Sequence, residues 1–405
     1  MRKTSRKCPL PPRLVRTGAA AMALAGATLF SAENSASGES VPGGKPFHLG
    51  ADIEPGSALD VSFLLHRPAG VRGFVSTEGE SFVYGDGSPA RFWGVNISWQ
   101  ALYTPEDEVE AVARRLAMSG ANLVRLTYWD GGPHGIFRTD LSNTTTVDPE
   151  RLDRLDRFAA ALKEQGVYLL LQLGMGRTYL KPDDLPETFE ESYTAPDTRR
   201  SAYRIGRFFV PEIRDNDRKL FRTLLEHKNP YTGTKWKDEP AIAAMVLLNE
   251  DTLYYRYGGM DPETLPASLY DRIRKEWNRW LDDRYGGSRR SLVRHWGEDA
   301  LDRDEDPARG TAEPPLDSLR QPAWLNDPEE ASREGRGNDW NRFLAVMNYR
   351  HYKTELEFIR SLGVRQPLAP NAGGNFQAAE MENHVRLGDF FDEHATTTIP
   401  HGETP

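Results

Sequence analysis

From Phe92 onward the chain alternates two hydropathy patterns. Short strand-like runs, most of them apolar, occur at Phe92–Ile97, Asn122–Thr127, Val167–Gln172, Ala241–Leu248, Val364–Pro370 and Asp389–His394. Between them, apolar residues recur at helical spacing, as in Val109, Val112 and Leu116, or Leu152, Leu155, Phe158, Ala159 and Leu162. Acids at Glu106, Asp107 and Glu108 open the first of these helices, Asp148-Pro149 opens the second, and Gly120 and Gly166 stop them. Further helices are predicted over Glu212–His227, Trp340–Leu362 and Phe376–Leu387. The runs Val167–Gln172 and Ala241–Leu248 are apolar on both faces, as strands buried in a parallel sheet are. The alternation predicts an α/β fold, a (β/α)8 barrel of which about six βα units are present. One long excursion, about residues 251–337, interrupts the rhythm after the fourth strand. It holds predicted helices over Ser268–Tyr285 and Ser288–Trp296 and an acidic, proline-rich stretch from Asp302 to Asp327.

The first 90 residues read differently. No acid precedes Glu33, the N-terminus is basic, and Gly18–Phe30 is a short Ala-rich apolar run. This is the pattern of a secretory signal peptide over residues 1–36, predicting a secreted or periplasmic protein that is off the membrane after cleavage. Residues 37–90 read as a linker and a small β extension, with Gly85-Asp86-Gly87 as a hairpin turn. The barrel domain is expected over residues 91–405.

Charge and cysteine usage narrow the chemistry. With 51 basic and 60 acidic residues the net charge is −9, which argues against a nucleic-acid partner. The single cysteine, Cys8, lies in the leader, so the mature chain has no disulfide framework, cysteine zinc site or catalytic thiol. His134 and His227 have no partners at ligand spacing, and no metal or cofactor is expected.

Polar residues fall at the carboxyl ends of the apolar runs: Asn96, Arg125, Gln172, Asn249, Glu250, Asn371 and His394. In a (β/α)8 barrel that face carries the active site. A carboxylic acid beside a side-chain amide at a strand end suits general acid catalysis.

In these residues the sequence resembles the clan-A glycoside hydrolases, nearest to the cellulase-like family 5 and its relatives. The fragments that carry the resemblance are Phe92-Trp-Gly-Val-Asn96, Asn122-Leu-Val-Arg125-Leu, Asn249-Glu250, and Asp389-Phe-Phe-Asp-Glu-His394. Trp277-Asn-Arg-Trp280-Leu and Trp296-Gly297 in the excursion add to them. The resemblance implies a retaining double displacement on a β-linked oligo- or polysaccharide. Glu250 would be the acid/base, and a second carboxylate about 5–5.5 Å away the nucleophile. Asn249 would bind the sugar 2-hydroxyl and Arg125 would hold the nucleophile ionised. His394, Asn96 and Asn371 would contact substrate. Trp99 and Trp129 each follow a strand end, where an aromatic ring either stacks on a sugar or packs within the loop. The family's nucleophile lies at the end of a seventh strand, which is expected beyond Pro405. Two other readings stay open: a non-catalytic carbohydrate-binding protein on a decayed or truncated barrel, and a barrel lyase or isomerase using Glu250 as base.

Overall fold

The computed structural model describes residues 53–131, 134–138, 144–177, 196–254, 265–315, 335–373 and 378–394. The leader, the first part of the linker, and the end of the acidic stretch through Asp327 lie outside the described residues.

A small antiparallel sheet opens the described chain: β1 (Ser76–Glu78), β2 (Ser81–Val83) and β3 (Pro89–Ala90). Gly85-Asp86-Gly87 forms the turn between β2 and β3, where Gly87 N–H donates to Tyr84 O at 2.8 Å. This sheet buries Val75, Tyr84 and Ala90 against Tyr168, Ala241 and Ala243, residues at the amino ends of two later strands. Tyr84 and Phe92 both set their rings against Tyr168, with centroids 5.7 and 5.5 Å away. The extension therefore covers the end of the main sheet opposite the predicted site.

The main sheet has five parallel strands in sequential order. They are β4 (Gly94–Ser98), β5 (Leu123–Thr127), β6 (Tyr168–Gly174), β7 (Ile242–Asn249) and β8 (Leu368–Ala372). The crossovers carry α1 (Val109–Met118), α2 (Pro149–Glu164), α3 (Pro196–Phe209), α4 (Pro211–Glu226), α5 (Ala267–Tyr285), α6 (Arg289–Trp296) and α7 (Gly335–Ser361). Helix α8 (Ala378–Leu387) follows β8. Sequential parallel strands with helical crossovers are the wall of a (β/α) barrel. The helix-facing core joins Val124, Leu126, Leu169, Leu171, Met245, Leu247 and Leu368 to Phe158, Leu162, Phe221 and Ile359. A separate cluster of Val246, Ala369, Ala372, Leu170 and Phe390 lies within the wall.

Local chemistry sets the element ends. Asp148 caps α2, its carboxylate accepting from the N–H groups of Glu150 and Arg151 at 2.9 and 3.3 Å. Pro211, lacking an N–H, separates α3 from α4 and serves as the first residue of the latter. Gly286 ends α5 in the left-handed region, and Ser288 caps α6.

Three expectations change. The fifth strand runs over Leu368–Ala372 rather than Val364–Pro370. The segment Asp389–His394 is not a full strand: it adds one parallel bridge, Asp392 with Ala372, at the β8 edge. Its first residue is tied to Leu368 through two groups: Asp389 N–H donates to Leu368 O at 2.8 Å, and the Asp389 carboxylate, which also binds Arg360, accepts from Leu368 N–H at 2.8 Å. Finally, α3 was not anticipated. Its polar residues Arg204 and Arg207 are buried, so hydropathy alone masks it.

Candidate active site

Strand β7 is buried at every position and delivers Asn249-Glu250 to its carboxyl end. The last pair of the β7–β8 ladder is Asn249 with Ala372. One residue later the backbone of Glu250 turns left-handed, with φ at 46°, while its N–H still donates to Ala372 O at 2.7 Å. Asn249 is buried, and the Glu250 side chain is 40% exposed. His394 reaches Glu250 from the far side of β8, its Nδ1 lying 2.9 Å from Oε1. Gly373 makes that approach possible: a Cβ there would stand 2.3 Å from the His394 ring, and its φ of +64° suits glycine.

Asn371 is fully buried behind this pair. Its Oδ1 accepts from Asp251 N–H at 3.1 Å, so it braces the turn that carries Glu250. Arg125 pairs with Asp392, Nη2 to Oδ2 at 3.2 Å, each side chain 14% exposed. The carboxylate at Arg125 is thus Asp392, in the segment that also supplies His394. Glu393 is exposed and accepts from His394 N–H. Asn96 sits in register with Arg125 on β4, but on an exposed strand. Trp129 is corrected most clearly. It is 1% exposed, and its indole N–H donates to Gln172 O at 2.6 Å, so it is core rather than a platform. The aromatic surface falls to Trp99, stacked on Tyr128 at 4.2 Å between centroids.

The structure therefore brings together Asn249, Glu250, Asn371 and His394, pairs Arg125 of β5 with Asp392 of the segment that supplies His394, and leaves Asn96 and Trp129 out. Among the described residues no group of three or more His, Cys, Asp or Glu side chains is placed to hold a metal ion. Nor is any helix among them long and apolar enough to cross a membrane.

No family model matches the chain. Mannan endo-1,4-beta-mannosidase 2 of Oryza sativa subsp. japonica is 28% identical over 188 residues, 44% of this chain and 39% of that protein. Mannan endo-1,4-beta-mannosidase 5 of Arabidopsis thaliana is 26% identical over 241 residues, 55% of this chain and 48% of that protein. The chain is thus similar to clan-A glycoside hydrolases of family 5 or a close relative of it. It spans less than half the length of these curated relatives. Among solved structures, the endo-1,4-beta-mannanase from Rhizomucor miehei matches 73% of this chain and 80% of its own, at 16% identity and TM-score 0.36.

One part of the site was not visible in the sequence. Asp251, directly after Glu250, is fully buried and faces Arg207 and Arg204 of α3. Arg177 joins the cluster, donating to the carbonyls of Asn216 and Thr144 and approaching Asp217 at 3.3 Å. Asp130, after β5, accepts from the N–H groups of Met175 and Gly176, after β6, at 2.9 and 2.8 Å. Burial pushes the Asp130 carboxyl above its usual value, partly offset by those two N–H donors and by Arg207. Arg204 donates to Met175 O, so the loops after β5, β6 and β7 all tie to α3. The available signal was the pair of arginines three residues apart among Tyr203, Ile205, Phe208 and Phe209.

Proposed function

We propose that the protein is an exported, retaining glycoside hydrolase acting on a β-1,4-linked mannan. The observation that carries this reading is Glu250 at the end of β7, beside Asn249 and within 2.9 Å of His394. The activity named for the similar plant proteins supplies the substrate class. The leader supports export.

In the proposed mechanism Glu250 starts protonated. It gives its proton to the glycosidic oxygen as a second carboxylate attacks the anomeric carbon and the aglycone leaves. Glu250, now a carboxylate, takes a proton from water, and that water's oxygen displaces the enzyme carboxylate from the sugar. Asn249 would hydrogen-bond the sugar beside the acid. The nucleophile is not assigned to a residue.

A second reading is glycan binding without turnover. It draws on Arg125, whose charge is already met by Asp392. Glu250→Gln in the complete protein separates the two. On the hydrolase reading, mannan hydrolysis falls by about 10²–10⁴-fold with the melting temperature unchanged. A wild-type protein that binds mannan calorimetrically but never releases reducing ends supports the second reading and overturns the first.

A further inference from the structure

A residue other than glycine holds a left-handed backbone where its surroundings impose it. Around Glu250 the constraint comes from the next residue. Asp251 is fully buried, its N–H donates to Asn371 Oδ1 at 3.1 Å, and its carboxylate lies 3.1 Å from Arg207 Nη1 and 3.8 Å from Arg204 Nε. On the other side, Glu250 N–H is fixed to Ala372 O. The peptide groups on both sides of the Glu250 Cα are thereby pinned, and the direction of its Cα–Cβ bond follows from them. Both arginines belong to α3, itself tied to the residue just after β6 through Arg204 and Met175 O. Arg207 also approaches Asp217 Oδ2 of α4 at 3.9 Å. The anchor for Glu250 is therefore a helix pair packed on the sheet, not a loop.

We propose that Asp251, held by Arg207, is the positioning residue that aims the Glu250 carboxylate at the glycosidic oxygen. The proposal rests on Glu250 being the acid/base. Asp251 is sealed from solvent, so it acts through the Glu250 backbone and not on substrate. Without the pair, Glu250 is free to return to negative φ. That rotation swings its Cβ and takes the carboxylate away from His394.

The test compares phenyl and dinitrophenyl β-mannosides in the complete protein, reading kcat/KM, which reports events up to formation of the glycosyl-enzyme. Dinitrophenolate leaves without help from an acid, whereas phenolate needs a proton. A misaimed acid therefore harms the phenyl substrate selectively. A merely less stable fold lowers both rates alike. Asp251→Asn is expected to lose about 30-fold or more on the phenyl glycoside and under about 3-fold on the dinitrophenyl one. Arg207→Lys, which keeps the charge, is expected to show the same bias at smaller size. It also serves, with Asp251→Glu, if Asp251→Asn does not fold. Glu250→Gln run alongside separates the two ideas. If Glu250→Gln is selective and the Asp251 and Arg207 variants lose both rates equally, or neither, the positioning role is overturned. If Glu250→Gln itself shows no selectivity, the acid role is overturned.

Discussion

His394 Nδ1 and Glu250 Oε1 stand 2.9 Å apart across 144 residues of sequence. The two side chains come from neighbouring segments at the carboxyl end of the sheet, and the contact fixes one oxygen of the carboxylate. If either partner is charged, such a hydrogen bond is worth about 1.5–3 kcal/mol. If it is needed to orient the acid, His394→Ala lowers kcat by about 10–100-fold with KM little changed. Steady-state kinetics on mannan checks this. A rise in KM at constant kcat would instead make His394 a ground-state sugar contact.

Gly373 is the neighbour that lets this contact form. Its N–H donates to Asp392 O at 3.0 Å, and a Cβ added there would fall 2.3 Å from the His394 ring. Gly373→Ala carries two penalties. The left-handed backbone costs alanine about 1–2 kcal/mol, and the methyl group expels the ring. The expected result is a modest fall in melting temperature with a loss of activity close to that of His394→Ala.

Trp129 and Trp99 have opposite roles. Trp129 is sealed in the core, so Trp129→Ala should destabilise the fold by about 3–5 kcal/mol. Trp99 is half-buried and stacked on Tyr128, both with left-handed backbones, φ 56° and 57°. Trp99→Ala should weaken mannan binding by about tenfold and cost under about 1 kcal/mol of stability. Urea titration and calorimetry on both variants would reverse the assignment if the effects are exchanged.

The contrast between those tryptophans shows what the sequence could and could not reveal. Strands β6 and β7 were legible because Leu169–Leu171 and Ile242–Leu248 are apolar whichever way they point, so a residue or two of slippage does not matter. Asn249-Glu250 was legible because it follows such a run directly. Position at a strand end does not tell whether Trp129 is exposed; after the left-handed residue Tyr128 its side chain lies in the core. Helix α3 was missed because hydropathy assigns Arg204 and Arg207 to solvent, while they are buried against Asp251. Long-range ion pairs of this kind have no local signature. The same holds for Asp392, which looks like one acid among several until Arg125 is found beside it.

That Arg125–Asp392 pair is largely buried, which makes the removal of either partner costly. Asp392→Asn leaves an uncompensated guanidinium and should lose about 3–5 kcal/mol of stability. Replacing both, Arg125→Met with Asp392→Leu, should recover most of that loss. On the hydrolase reading, activity should not return with it. Thermal melts of the single and double variants decide the first point, and mannan hydrolysis decides the second. A double variant as unstable as the single would mean that the pair holds the bridging segment by geometry that apolar packing cannot replace.

The excursion after β7 has its own charged clamp, and its pH dependence follows from the geometry. Glu305 is buried and accepts from both terminal nitrogens of Arg336, at 2.9 and 2.5 Å. It also accepts from the N–H groups of Asp302 and Glu313, at 2.9 and 2.7 Å. Burial alone would raise its carboxyl, but Arg336 and the two N–H donors outweigh it and hold the group below the ordinary value of 4.5. A carboxyl depressed on folding contributes stability that is fully present above its unfolded pKa. That stability is lost as pH falls through the folded value. Arg336 opens α7, so the clamp fastens the loop around Ala300–Glu313 to that helix, with Arg336 also donating to Ala300 O at 2.6 Å. Glu305→Gln should cost on the order of 3 kcal/mol at neutral pH. The gap between the two proteins should persist down to about pH 4.5 and then close in stronger acid, where the wild-type group is itself protonated. Urea melts from neutral to strongly acid pH measure it, and a gap that stays constant throughout would show that the ionised carboxylate is not what holds the loop.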